Sequence, residues 1–442
     1  MHRNVLLLQG PIGPFFSRFA EDLTDRGFNV WKVNLNGGDR FFYRGNQAVD
    51  YAGDLNGWDS YLERLIVNKE IGRIYLFGDC RSYHRIARKV AKRHGIRLFV
   101  FEEGYIRPNY ITLEETGVNG YSPMLRRKMD LNELDVASNE SDLAAENPLP
   151  KQMVFRSGYN VTAYYLSCFF QKKRFPNYQH HRTLKAVHEG ARWIRSGIRK
   201  LRFQYSEKNT LKKIITEYDN NYFVCPLQVH CDMQVVVHSK FNSIEHFIGD
   251  VITSFARHAG PNKAIVFKHH PMDRAYKDYS LLFENLVAEL GLHGRVFYVH
   301  DVCLPTLLKH AEGSVLINST VGMSSLFHGT PVKTLGKAIY DLPGLTTQRS
   351  LESFWGRPGA VNRDLFAAFR QHLIENNQLN GNFTARLARS SAAGLQWSDT
   401  LSDEHRYVAD RVDPVEQPIL RVVGGLDVER VDDGDFENKK AA

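Results

Sequence analysis

Short apolar runs alternate with amphipathic stretches along most of this chain. An apolar run at residues 5–8 leads through a glycine-proline loop, 10–14, into a helix-period stretch over about 15–26. The same alternation predicts strands at 28–33, 73–77 and 97–101, with helices over about 58–69 and 83–94. It resumes with strands at 222–226, 264–267, 296–299, 314–317 and 331–335. Helices are predicted between these over about 243–258, 280–289 and 304–310, and another opens at Ser319 or Thr320. From 351 to about 391 the pattern is helical. Strands separated by helices of this length argue for parallel, doubly wound sheets. Right-handed crossovers then gather the strand-end loops on one rim, where open α/β sheets bind ligands.

Those loops are polar. In the second half, Lys268-His269-His270-Pro271 and Asn318-Ser319-Thr320-Val321-Gly322 each follow a strand, and Gln228-Val-His230-Cys231-Asp232 follows another. His270, Ser319 and Thr320, with Lys268 close by, supply donors able to converge on one phosphate, or else simply a turn with a surface histidine and an ordinary helix N-cap. Asp232 is placed to act as a nucleophile or base, or simply to cap a turn. Asp301 has weaker context, and His269 is expected to face away. In the first half, Glu102 and Glu103 are consecutive, so strand alternation sends only one to the cleft, as a general base or as an ion-pair partner of Arg107. Asp79, Arg81 and the Asn36-Gly-Gly-Asp39 loop are further cleft candidates. No metal-clamping pair of aspartates stands out, so no metal or cofactor is expected. No GxGxxG follows the first strand and no P-loop occurs, which weighs against dehydrogenases and P-loop kinases. Two Rossmann-like domains facing a cleft, with a helical basic insertion and a helical C-terminal segment, describe a GT-B-like α/β fold. The expected boundaries are 1–125 for the acceptor domain, 126–215 for a linker and the basic helical segment, 216–345 for the nucleotide-sugar domain, 346–410 for the helical segment and 411–442 for a partly disordered tail.

Composition narrows this only in places. At 442 residues the chain suits two domains. The five scattered cysteines form neither a zinc pattern nor a disulfide framework, as in a reducing compartment. No apolar run approaches the ~20 residues that span a bilayer, so a cytoplasmic, soluble or peripheral protein is expected. The net charge of +8 is unevenly placed: between Lys172 and Arg202 stand ten Lys or Arg and one acid, Glu189, interleaved with aromatic and aliphatic residues. Such a segment lies on an anionic membrane or covers a domain edge. Nothing accompanies it that reads nucleic acid.

Many of these stretches occur together in one order in a known family. LLLQGPIGPFF, VNLNGGDRFFY, LFGDCRSYHRIA, VFEEGYIRPNYITLE, PLQVHCDMQV, FKHHPMDR and LINSTVGMSSLFHGTPVKTLG resemble the bacterial capsule polysaccharide biosynthesis and export proteins of the KpsS/LipB type. The resemblance implies a retaining β-Kdo transferase that uses CMP-Kdo and a (lyso)phosphatidylglycerol acceptor at the cytoplasmic face of the membrane, in contact with other capsule assembly proteins. It implies that His270-Pro271 and Ser319-Thr320 bind the CMP phosphate, with Gln228, Lys268 and Asn318 around it, and that Asp232 is the nucleophile. Cys231 stands where related modules carry a second acid. The competing expectations are a non-catalytic assembly scaffold and a transferase for another nucleotide sugar.

Overall fold

The computed structural model describes residues 3–107, 110–125, 151–180, 186–384, 401, 419–423 and 427–431. The expected linker over 126–150 and the far tail, 432–442, lie outside them.

The N-terminal domain alternates as the pattern predicts: β1 (Asn4–Leu7), α1 (Phe15–Asp25), β2 (Asn29–Asn34), α2 (Gly37–Phe42), β3 (Ala48–Asp50), α3 (Trp58–Asn68), β4 (Ile71–Phe77), α4 (Ser82–Arg93), β5 (Arg97–Glu103) and β6 (Tyr110–Glu115). The insertion is helical: α5 (Lys151–Phe170), α6 (Ala186–Ser206) and α7 (Thr210–Tyr218). The C-terminal domain holds β7 (Tyr222–Pro226), α8 (Met233–His238), α9 (Ile244–His258), β8 (Ala264–Lys268), α10 (Ser280–Leu290), β9 (Val296–Val299), α11 (Leu304–Lys309), β10 (Gly313–Leu316), α12 (Val321–Phe327) and β11 (Val332–Thr334). Then come α13 (Leu351–Phe354), α14 (Arg363–Asn376), β12 (Gln378–Asn380) and a two-stranded ribbon, β13 (Ile419–Val423) with β14 (Asp427–Val431).

Two sheets result, one ordered β12-β6-β5-β4-β1-β2-β3 and the other β11-β10-β7-β8-β9. The strands from β1 to β5 pair in parallel, as do all five of the second sheet. This is the GT-B-like α/β fold, with each sheet buried on both faces by its helices. In each sheet the strand order reverses at one point: between β1 and β4 in the first, and between β7 and β10 in the second. The loops at those two reversals open the crevices where such sheets hold ligands.

The helical expectation for 351–391 fails at 378–380, and its last residues, 385–391, lie outside the described ones. After α14 the chain runs back to the first domain, where β12 adds to β6 antiparallel. Buried Glu114 of β6 fastens this return. It accepts from Asn377 Nδ2 (2.6 Å), Ser122 Oγ (2.8 Å) and Tyr105 O–H (3.1 Å). The two domains also share an apolar core, in which Tyr105, Ile106 and Met124 meet Leu316, Met323, Phe369 and Leu373. The Gly37-Gly38 pair is explained by packing, since it lies under α5. A Cβ on Gly37 falls 2.3 Å from the Ser167 carbonyl oxygen, and one on Gly38 falls 2.2 Å from the Tyr164 ring.

Gly37→Ala is therefore expected to cost about 1–3 kcal/mol through overpacking, read by denaturant unfolding, and to expose α5 to limited proteolysis. Burial pushes the Glu114 carboxyl up to about 7. The native state then keeps a proton that the unfolded chain releases near pH 4.5, so this group makes stability fall as pH rises through that window. Unfolding titrations between pH 5 and 7.5 should show the fall, and Glu114→Gln should flatten it.

Candidate functional site

The loop after β7 is tied to its neighbours on both sides. Gln228, nearly buried, donates Nε2–H to Asn318 Oδ1 (3.0 Å) and to Asp232 Oδ2 (3.3 Å). Asn318 in turn donates to the Gln234 carbonyl (3.0 Å). This bridges the β7 and β10 loops across the strand-order reversal. On the other side, buried Asp273 accepts from the backbone N–H of His230 (2.8 Å) and pairs with its ring Nδ1. Asp273 belongs to the turn Pro271–Asp273 after β8, so the two strand-end motifs lock together. A buried carboxylate needs such donors, because leaving it unpaired costs several kcal/mol.

His270 caps that turn, its Nδ1 accepting from Met272 N–H (3.2 Å). A ring nitrogen that accepts a hydrogen bond carries no proton, so in the neutral ring the N–H sits on Nε2. Asp232 caps α8: Oδ1 takes the Gln234 N–H (2.9 Å), while Oδ2 is held by Gln228. The capping role and the strand-end position coexist in one residue. Thr320 is the N-cap of α12, with no side-chain hydrogen bond of its own to the helix. Ser319 Oγ accepts the Val321 N–H (3.3 Å), and the Tyr340 hydroxyl binds the Ser319 carbonyl. Gly322 leaves room for that tyrosine, since a Cβ there falls 2.3 Å from the ring. Pro271 opens the turn after His270.

Two residues of the Lys268-His-His motif point elsewhere. Lys268 donates to the His300 carbonyl (3.3 Å), and burial pulls its amine below the usual range. His269 is buried against the Tyr298 hydroxyl (2.7 Å), and burial lowers it to about 4. Asp301 is engaged by Arg274 (3.2 Å).

In the N-terminal domain the glutamates separate. Glu103 is exposed. Glu102 turns toward Gly78 and Arg81, and burial, reinforced by Glu103 and Asp79, lifts its carboxyl to about 7. Arg81 donates to Gln9 Oε1 (2.9 Å), and Gln9 donates to Asp39 (3.3 Å), Tyr164 and Tyr178. A small, open pocket lies beside this network, lined by Gly10, Gly13, Ser17, Lys32, Asp39 and Tyr164.

Several cleft expectations are corrected. Asp79 is 0% exposed and accepts from Val118 N–H (2.9 Å), so it pins the 116–121 loop and cannot meet a ligand. Asn36 is a buried cap of α2 that also donates to Tyr164 (2.8 Å). Asp39 borders the pocket beside Gln9 but is held inward by the Leu35 N–H (3.1 Å), and burial raises its carboxyl. Arg107 donates to the Gly104 carbonyl (3.3 Å), and no ion pair joins it to either glutamate among the described residues. The sequence reading missed the His230–Asp273 pair. The signal was present, because both residues lie inside quoted motifs, but their partnership spans 43 positions.

The domains meet beside these loops. Gln234 Nε2 lies 3.6 Å from Cys80 Sγ, and His238 stands edge-on to Tyr121 at 4.5 Å between ring centres. Both strand-order reversals therefore border one cleft.

The chain is similar to known proteins across most of its length. The capsule polysaccharide modification protein LipB of Neisseria meningitidis is 39% identical over 387 residues, 87% of this chain and 92% of the relative. The capsule polysaccharide export protein KpsS of Escherichia coli is 39% identical over 381 residues, 86% of this chain and 96% of the relative. The solved structure of the Thermosulfurimonas dismutans KpsC β-Kdo 2,7 transferase matches at 14% identity and a TM-score of 0.40, over 85% of this chain and 92% of that one. The model of the capsule polysaccharide biosynthesis protein family matches residues 73–384. The chain belongs to the capsule polysaccharide biosynthesis protein family.

Proposed function

We propose that the protein is a glycosyltransferase that moves Kdo from CMP-Kdo to a (lyso)phosphatidylglycerol acceptor at the cytoplasmic face of the membrane, starting the lipid linker of a capsule polysaccharide. The observation that carries this reading is the latched cluster of Gln228, Asp232, Asn318 and His270 at the strand-order reversal of the second sheet. The motif resemblance supplies the donor's identity.

In this reading His270 donates Nε2–H to the donor phosphate, joined by the hydroxyls of Ser319 and Thr320. The departing CMP takes the bonding electrons onto its phosphate oxygen. That charge needs donors more than it needs an acid, and the reading requires no metal. Asp232 Oδ2 forms a bond to the anomeric carbon as the carbon–phosphate-oxygen bond breaks. In the second half-reaction an acceptor hydroxyl attacks that carbon, the carboxylate leaves, and Glu102 takes the hydroxyl proton. Two inversions give retention. His230, oriented by Asp273, presents its Nε2 two residues from the nucleophile, a position suited to the sugar carboxylate of Kdo.

Purified protein given CMP-Kdo and lysophosphatidylglycerol should yield a Kdo-lipid by mass spectrometry; an intact donor and no product would sink the reading. CMP should raise the melting temperature more than UDP or GDP, and greater stabilisation by either of those would reassign the donor. Asp232→Asn should abolish transfer while leaving CMP affinity unchanged. His270→Ala should weaken CMP about 10-fold or more, the loss expected for a hydrogen bond to a charged group. Because Glu102 is lifted to about 7, it is a neutral acid below that pH and a base above it. Transfer should therefore rise with pH through about 7, and Glu102→Gln should remove that rise.

A further inference from the structure

The insertion turns apolar surface outward. α5 faces α2 through Tyr164, Cys168 and Gln171. On its opposite side, at helical spacing, stand Leu166, Phe169 and Phe170, the last 76% exposed. α6 is fastened to the C-terminal domain through Arg199, which bonds Asp278, and Phe203, stacked on His300. It presents Ile198, Leu201 and Tyr205 away from that contact, the tyrosine 85% exposed. Of the eleven most exposed large apolar side chains among the described residues, eight lie on α2, α5 and α6. Solitary exposed apolar residues need no explanation, but a concentration of this kind marks an interaction surface.

Charge selects the partner. From 151 to 206 the chain carries twelve Lys or Arg and one acid, Glu189. Lys172 and Lys173 are exposed just beyond α5, and Arg195 and Arg202 are exposed on α6. A second copy would bring the same positive surface against this one, so a self-complementary dimer is electrostatically opposed. Rings flanked by cations match an anionic lipid surface, in which the apolar side chains enter the headgroup boundary and the cations meet phosphates.

We infer that the outward faces of α5 and α6 are a docking surface for an anionic bilayer. The inference deepens the transferase reading and rests on it only for what the bilayer delivers, an acceptor lipid presented beside the open pocket under α5. The test uses the full chain and sedimentation with vesicles of phosphatidylglycerol and phosphatidylcholine, or of phosphatidylcholine alone. The wild type should bind the anionic vesicles and be released by salt. Lys172→Glu/Lys173→Glu should bind at least ~10-fold more weakly, since each basic residue near the surface contributes about fivefold. Phe169→Ser/Phe170→Ser should show a loss of similar size. Both variants should melt like the wild type and still transfer sugar to detergent-dispersed acceptor. Equal binding of folded variants and wild type, equal wild-type binding to both lipid mixtures, or a vesicle-indifferent dimer that the phenylalanine variant dissolves would each overturn the docking surface. Vesicle binding without any sugar transfer would overturn the transferase reading alone.

Discussion

The site depends on how one buried carboxylate is satisfied. Asp273 has lost its water, and the donors that replace it come from His230, on a different strand-end loop. Meeting a desolvation cost with a neighbour's donors turns a local requirement into a geometric one, because the bond exists only when both loops are in place. Gln228 performs the same task without charge on the other side, reaching both Asp232 and Asn318. Three loops from three strands thus become one rigid rim. His270 and Asp232 inherit their positions from it, each fixed further as a cap. In the proposed transfer, such preorganisation is what electrostatic stabilisation of a leaving phosphate requires, since no reorientation remains for the reaction step.

The second constraint is that two domains must present their rims to one cleft. The shared core of Tyr105, Ile106, Leu316, Phe369 and Leu373, together with the return of β12 to the first sheet, sets that arrangement. Glu114 is buried at this crossing with all its partners uncharged, which explains why it favours its neutral form. Glu102 reaches a similar state at the rim. There the groups around it include a cation, Arg81, and two acids, and burial outweighs the cation.

Much of this was legible in the sequence, for a physical reason. Parallel strands covered on both faces read as continuous apolar runs, so β1, β4, β5, β7 and β8 were recognisable, and the polar residues after them marked the rim. What escaped depended on contacts between distant parts of the chain. β12 is three residues long, and its pairing with β6 spans more than 260 positions, so no local period announces it. Asn36, Asp39 and Asp79 have the composition of ligand-binding groups, but burial against α5 and the 116–121 loop assigned them to structure. The Gly-Gly pair invited the idea of a ligand's close approach, whereas a helix backbone occupies that space. The two consecutive glutamates could be told apart only when the neighbours of each were known.

In the insertion the sequence shows cations interleaved with aromatic residues, but not which of them face solvent. In the folded protein the cations divide: Arg199 is spent on Asp278 and Arg192 lies over Tyr276, both within the domain. Phe169 and Phe170 are left in solvent. α5 is apolar on two opposite sides, and a helix of that kind has two partners to satisfy. The first is α2, and the second lies outside the domain. On the proposed reading, an acceptor that carries an acyl chain calls for a surface of this chemistry near the N-terminal domain, and α5 is the element of the insertion that is packed on that domain.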